Sequence, residues 1–152
     1  MQAISWQQQD FIISTDKTLL DIATVHQFLN QESNWAKGIP MHRVKTSIQH
    51  SLCFGIYQFS SEHRSQIGFC RVLTDYAVFG YLADVFVLPQ WRGRGLSKWM
   101  MDCVMSHPEL QHLRRFMLTS SDARPLYAKF GFMPLAAPEK MMEIVNPDTY
   151  KE

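Results

Sequence analysis

The sequence predicts a mixed α/β fold, a mostly antiparallel sheet with helices on both faces. Three observations predict it. Apolar runs of strand length recur at residues 11–14, 52–59, 66–74 and 77–88, bounded by polar turns. Apolar stripes of helical spacing stand at Leu19, Ile22, Val25 and Leu29, and again at Leu96, Trp99, Met100, Cys103 and Val104. The order of elements, β-α-α-β-β-β-α-β-α-β-β, interleaves the two types, which places helices against a single sheet.

The elements follow one another closely. Thr18 and Asp21 have the spacing of a capping box, opening the first helix. A loop at residues 30–38 carries Trp35, and Pro40 suits the start of a second helix running to about residue 49. The run at 60–65 is a polar turn, so 52–59, 66–74 and 77–88 form an antiparallel meander. The helix that begins after Gly95 is stopped by Pro108. A strand at 112–119, a short helix at 122–130 and closing strands at 132–135 and 141–145 complete the order. With 152 residues, no repeat and no Gly/Ser-rich linker, residues 1–152 are expected to form a single domain.

Composition excludes several classes of function. Apolar residues make up 46% and charged residues 19%, which argues for a folded chain throughout. A net charge of +1 provides no field for nucleic acid or an anionic membrane. No run approaches a membrane span, and the polar first ten residues lack the layout of a signal peptide, so a cytoplasmic location is expected. Cys53, Cys70 and Cys103 lack C-x-x-C spacing and read as buried free thiols. The six histidines show no metal-ligand spacing and there is no G-x-S-x-G, so neither a metal site nor a serine nucleophile is expected.

The strongest local signal is Val87-Leu88-Pro89-Gln90-Trp91-Arg92-Gly93-Arg94-Gly95-Leu96-Ser97. A buried strand ends at a proline, and a glycine-bearing turn opens an amphipathic helix. Glycines let backbone approach an anion, and the first N–H groups of a helix point outward unpaired. Arg92 and Arg94 add charge at the same place. The spacing matches neither a P-loop nor a dinucleotide-binding turn. Read as physics alone, it is either a phosphate-binding loop or an ordinary strand-to-helix turn with exposed arginines.

The same residues resemble the GNAT superfamily of acyl-CoA-dependent N-acyltransferases, whose signature is Q/R-x-x-G-x-G/A after a strand ending in V-x-P. Gln90, Gly93 and Gly95 match it position by position. A second signature, L-Y-x-K-x-G-F, is present as Leu126-Tyr127-Ala128-Lys129-Phe130-Gly131-Phe132. The resemblance extends from about Phe11 to Val145. It implies acetyl-CoA as co-substrate, a sheet that splays at strand 77–88, and transfer to an amine. Backbone from Gln90 through Trp91, Arg92, Gly93, Arg94, Gly95 and Leu96 to Ser97 would hold the coenzyme pyrophosphate. Val85, Phe86 and Val87 would bond the pantetheine arm, and Tyr127 would be the general acid. Ser120 stands where the family often has a coenzyme-contacting asparagine.

Asp84 is the one charged residue between residues 77 and 89, where burial of an unpaired carboxylate would cost several kcal/mol. Either it faces a cleft as a substrate or base residue, or it is structural and bonded to backbone or Arg71. The flanking Tyr81-Leu82-Ala83-Asp84-Val85 is similar to the strand of polyamine acetyltransferases that carries two adjacent acidic residues, of which Ala83 replaces the first. Asp75, Tyr76 and Trp35 are further candidates for the acceptor side. An amine with pKa ~10.4 is neutral about once in 2,500 at pH 7, a penalty of roughly 4.6 kcal/mol that a base or solvent must meet. The resulting expectation is direct transfer in a ternary complex from acetyl-CoA to a small cationic amine, without nucleic-acid or membrane partner and with a homodimer left open. A protein or peptide acceptor and a non-catalytic acyl-CoA-binding module remain as alternatives.

Overall fold

A strand persists only where its backbone finds a partner, and among the described residues six segments do. The computed structural model describes residues 1–151. Its sheet runs β1 (Ser5–Gln8), β2 (Phe11–Ser14), β3 (Leu52–Phe59), β4 (Arg64–Thr74), β5 (Phe79–Val87) and β6 (Arg115–Leu118), each bonded to the next in that order. The first four pairings are antiparallel and β5–β6 is parallel. The four helices are α1 (Ile22–Gln27), α2 (Met41–Gln49), α3 (Leu96–Ser106) and α4 (Arg124–Ala128).

The sheet separates two cores. On one side Val25, Phe28, Leu29, Val44 and Ile48 from the α1 and α2 region pack on Cys53, Phe69 and Phe86. Met100, Met101, Cys103 and Val104 of α3 cover Phe54, Ile56, Val72 and Leu82 on the other. Strand alternation produces the division, since successive residues of β3 point to opposite faces. Met100 is fully buried, so truncation to alanine would cost about 2–5 kcal/mol.

Several boundaries differ from the sequence reading. Strand β1 was not foreseen in a polar N-terminus. It forms because Trp6 stacks on Phe54 at 6.1 Å while Ser5 and Trp6 pair with Ser14 and Ile13. Thr18 and Asp21 do not make a capping box. Instead Thr18 N–H donates to Asp16, and Asp21 caps α1 by accepting from Thr24 N–H at 3.1 Å. The last helix is short, and the strand expected at 112–119 pairs only over Arg115–Leu118. The closing strands expected at 132–135 and 141–145 are absent: that segment is irregular and mostly exposed, with one 3₁₀ turn at Pro138–Lys140. Apolar composition alone does not form a strand unless the path of the chain lays its backbone along an edge. No helix among the described residues is long and apolar enough to cross a membrane.

His107 is fully buried between Trp6 and Phe54, where its Nδ1 accepts from Glu109 N–H at 3.2 Å. The neutral ring therefore carries its proton on Nε2, which has no hydrogen-bond partner among the described residues. Burial lowers its pKa, so the unfolded chain binds a proton at higher pH than the folded one. Stability is therefore full above about pH 6.5 and falls as pH drops through the window below it. Urea unfolding at pH 7.5 and 5.0 should show a larger acid loss in the wild type than in His107→Asn; equal losses would mean that His107 does not carry the effect.

Candidate functional site

The site begins with a count of residues. Phe69 pairs with Phe86 and Arg71 with Ala83, so Asp84 and Val85 together stand opposite the single residue Cys70. That is a β-bulge, which bends the strand and re-aims its backbone. Asp84 absorbs the bend at φ +55°, a left-handed conformation that aspartate tolerates better than most residues but that still carries strain.

Three side chains hold the bulge. Arg71 Nε donates to Asp84 Oδ2 at 2.6 Å, and Trp35 Nε1 donates to Asp84 Oδ1 at 2.8 Å. Arg71 Nη1 also donates to Ser51 Oγ at 3.1 Å. The Asp84 side chain is 9% exposed, so both oxygens are engaged in a mostly dry setting. Trp35 arrives from the loop between α1 and α2, tilted against Phe28, with 53% of its surface exposed. Phe28 in turn stacks on Phe86 at 4.0 Å, just beyond the bulge.

Beyond the bulge the sheet opens. Strands β5 and β6 pair from Phe79↔Arg115 to Leu82↔Leu118, and there the register ends. Near the parting point Tyr81 OH donates to Thr119 Oγ1 at 2.8 Å. From Ala83 to Val87 the edge of β5 toward β6 has no strand partner among the described residues, although Phe86 and Val87 remain bonded to β4 on the other edge.

Strand β5 leads into the glycine turn. Gly93 and Gly95 lie at φ +79° and +75°, the conformation that glycine adopts without penalty, and no atom lies within 4 Å of the place a Cβ would take. Gly95 starts α3, and no side chain caps that helix. The first turn of this eleven-residue helix therefore presents unpaired N–H groups and a positive dipole end to open space. Arg92 Nε donates to the Val87 carbonyl at 3.0 Å, and Arg94 lies over the Trp91 ring at 4.7 Å, so both guanidinium groups are held at the turn. Gln90 is exposed, Leu96 is buried in the α3 core, and Ser97 is half-buried.

Tyr127 of α4 packs edge-on to Phe132, and burial, then the neighbouring Cys70, pushes its phenol up to about 12. Tyr127 shares its core with Cys70, the residue opposite the bulge. Ser120 Oγ accepts from Ala123 N–H at 3.0 Å, shaping the turn before α4. Asp75 and Tyr76 are set apart: they form the β4–β5 turn, where Asp75 Oδ1 accepts from the N–H groups of Ala77, Val78 and Phe79. These bonds lower the Asp75 pKa. Tyr76, at φ +60°, lines a shallow cleft of about 290 Å³ with Lys17 and Ser51.

The thiols are buried and free. Burial raises Cys53 to about 11 and Cys103 to about 12, and pushes Cys70 up as well. Among the described residues no three His, Cys, Asp or Glu side chains come together as a metal site. Sequence reading singled out Asp84, Trp35 and the glycine turn, but not the Trp35–Asp84 bond. It named Arg71 only as a partner for Asp84. No local pattern links residues 35, 51, 71 and 84, which only the fold brings together.

Comparison with known proteins gives a consistent result. Residues 54–134 match the family model described as an acetyltransferase (GNAT) domain. A protein of Gibberella zeae named "Putative acetyltransferase" is 32% identical over 143 residues, covering 82% of this chain and 80% of its own. A crystal structure from Xanthomonas campestris pv. campestris, described as belonging to the GNAT family, is 50% identical with TM-score 0.87, covering 96% of this chain and all of that one. A structure from Clostridium acetobutylicum solved with acetyl-CoA shares the fold at 15% identity and TM-score 0.58, covering 95% of this chain and 96% of its own.

The ion pair has a measurable weight. Arg71→Leu leaves the Asp84 carboxylate mostly buried without its cation, which should lower stability by about 2–4 kcal/mol in urea denaturation. Trp35→Phe removes a single N–H donor and should cost about 1 kcal/mol or less. An Arg71→Leu protein within about 0.5 kcal/mol of wild type would show that the bulge stands without the pair.

Proposed function

The chain belongs to the GNAT family of acetyltransferases, and from that premise we propose that it moves an acetyl group from acetyl-CoA to a primary amine, a small cationic one, by direct transfer in a ternary complex. The observation that carries the proposal is the uncapped start of α3 behind two glycines of positive φ, at the end of a strand whose outer edge is open. A diphosphate is an anion with many acceptor oxygens, and that donor set suits it. In this reading Gln90 to Ser97 hold the diphosphate, with Arg92 and Arg94 adding charge-assisted bonds and Ser120 a polar contact at the rim. The open edge from Val85 to Val87 bonds the pantetheine arm. The backbone turned by the bulge stabilises the negative charge that develops on the thioester oxygen.

Asp84 then acts as a positioning residue. Its two oxygens are engaged by Arg71 and Trp35, which weakens its claim to be the base. The amine loses its proton to solvent at the mouth of the cleft, and the exposed Trp35 ring offers a cation–π surface to the incoming amine. Asp75 lies at the far turn and contributes at most a distant charge. Direct transfer is supported by the thiols: buried groups raised to about 11 and 12 hold almost no thiolate at neutral pH.

Tyr127 supplies the proton to the departing thiolate. With the phenol at about 12 and a thiol at ~8.5, a stepwise transfer runs uphill by about 5 kcal/mol, so donation is concerted with loss of the sulfur. The same shift sets a pH signature. Tyr127 remains protonated through pH 10, so activity should rise with pH as the amine is deprotonated, with no falling limb below about pH 11.

Two measurements test this reading. Calorimetry with coenzyme A should show binding by the wild type and loss of at least ~30-fold in affinity for folded Gly93→Val/Gly95→Val, because valine is strained at positive φ. Undiminished affinity would remove the loop from the site. Tyr127→Phe should lower kcat by ~10²-fold with coenzyme affinity and Tm preserved. A kcat within about threefold of wild type, with chemistry rate-limiting, would assign the proton to water. A binding protein that releases no free coenzyme thiol across a panel of amines would favour the non-catalytic alternative.

A further inference from the structure

Below Asp84 three strands bring apolar side chains into one row. Leu73 of β4 stands opposite Tyr81 of β5, and Tyr81 opposite Met117 of β6, so all three point to the same face. That face is the one Arg71 occupies, two residues before Leu73, while the intervening Val72 and Leu82 turn into the α3 core. None of the three belongs to either core. Leu73 is 40% exposed, and Phe79, one row farther from the bulge, is 39% exposed. The Tyr81 hydroxyl is tied to Thr119 at 2.8 Å, which holds the ring in place. Apolar side chains left uncovered on ordered strands, with a few fixed polar groups at one end, are what the floor of a ligand cleft presents.

The row leads to the reaction centre. Along β5 the face carries Phe79, Tyr81 and then Ala83, which stands opposite Arg71 and beside Asp84. Ala83 is the smallest of these, so the floor steps down into a notch next to the Trp35–Asp84 bond. The edge of β5 toward β6 opens at the same residue. From Ala83 to Tyr81 is two residues of strand, about 7 Å, the reach of a two-carbon arm ending in a ring. Charge narrows the occupant further. Strands β4, β5 and β6 carry one carboxylate, Asp84, and Arg71 and Trp35 engage both of its oxygens. Asp75, in the turn below, already accepts three N–H groups at one oxygen. At the far end stands a cation, Arg115, opposite Phe79. A second ammonium on the acceptor would find no free carboxylate on these strands and would meet like charge beyond the row. The C-terminal segment reaches the foot of this face, where Met141 meets Arg115 at 4.0 Å, and Leu73 stays uncovered.

Building on the transfer reading above, we infer that the acceptor is an arylalkylamine, a single ammonium on an apolar body, whose ring lies on Leu73, Tyr81 and Met117 with its nitrogen in the Ala83 notch. The N–C bond forms as the C–S bond breaks; the amine proton goes to solvent and the Tyr127 proton to sulfur. The probes are 2-phenylethylamine and spermidine. At saturating acetyl-CoA, kcat/KM should favour 2-phenylethylamine at least ~10-fold, and calorimetry on the coenzyme A-loaded protein should show the same preference. Leu73→Asp sets a carboxylate in the row without entering a core. It should raise KM for 2-phenylethylamine at least ~10-fold and lower it for spermidine, with coenzyme A affinity and sedimenting mass unchanged. Met117→Ser should raise KM for 2-phenylethylamine about fivefold. A wild type that uses spermidine as well as 2-phenylethylamine overturns the proposal while acetyl transfer stands, and so does a KM for 2-phenylethylamine that neither substitution moves. A changed mass in Leu73→Asp would give the row to contact between copies and overturns it too, as does a protein that binds neither amine. Binding of 2-phenylethylamine that Leu73→Asp abolishes, without release of coenzyme thiol, would support the row and overturn acetyl transfer.

Discussion

The ion pair between Arg71 and Asp84 is the contact on which the architecture of the site depends. One extra residue in β5 must be accommodated opposite Cys70, and the strand does so by placing Asp84 in a left-handed conformation. That conformation persists only if the surroundings over-determine it. Arg71 from the neighbouring strand and Trp35 from the helical loop take one carboxylate oxygen each, so the strain is met from two directions. The pair does three things at once: it satisfies a mostly buried charge, fixes the bend of β5, and ties the α1–α2 loop to the sheet. Everything beyond the bend, from the open edge of β5 to the start of α3, takes its direction from it.

The resulting cleft relies on backbone dipoles more than on titrating side chains. Burial raises the thiols and the Tyr127 phenol, which keeps all of them protonated near neutral pH. What remains available is a helix start without a cap, two glycines with open space beside them, and a strand edge released from its partner. Such groups are fixed before any ligand arrives and need no reorganisation, which is the property electrostatic stabilisation of a developing charge requires.

The sequence determined, by itself, whatever rests on near neighbours in the chain. Strand β3 was legible to the residue, β4 and β5 nearly so, and α3 from its apolar spacing, because periodicity records which face is buried, while α2 was legible from Pro40 at its start. The glycine turn at Gly93 and Gly95 was legible because positive φ at two nearby positions asks for a residue without a Cβ. The tyrosine helix was legible only through its resemblance to a known signature. Tertiary structure alone decided whatever depends on a partner distant in sequence. It made a strand of polar Ser5–Gln8 because Trp6 found Phe54, and left 141–145 without one because that segment's backbone pairs with no strand. It also joined residues 35, 51, 71 and 84 into one hydrogen-bonded group, turning Asp84 from an open candidate base into an engaged carboxylate. Local spacing encodes burial and turn conformation; it does not encode which charge will meet which, since that is set by strand register and by the path of a loop across the sheet.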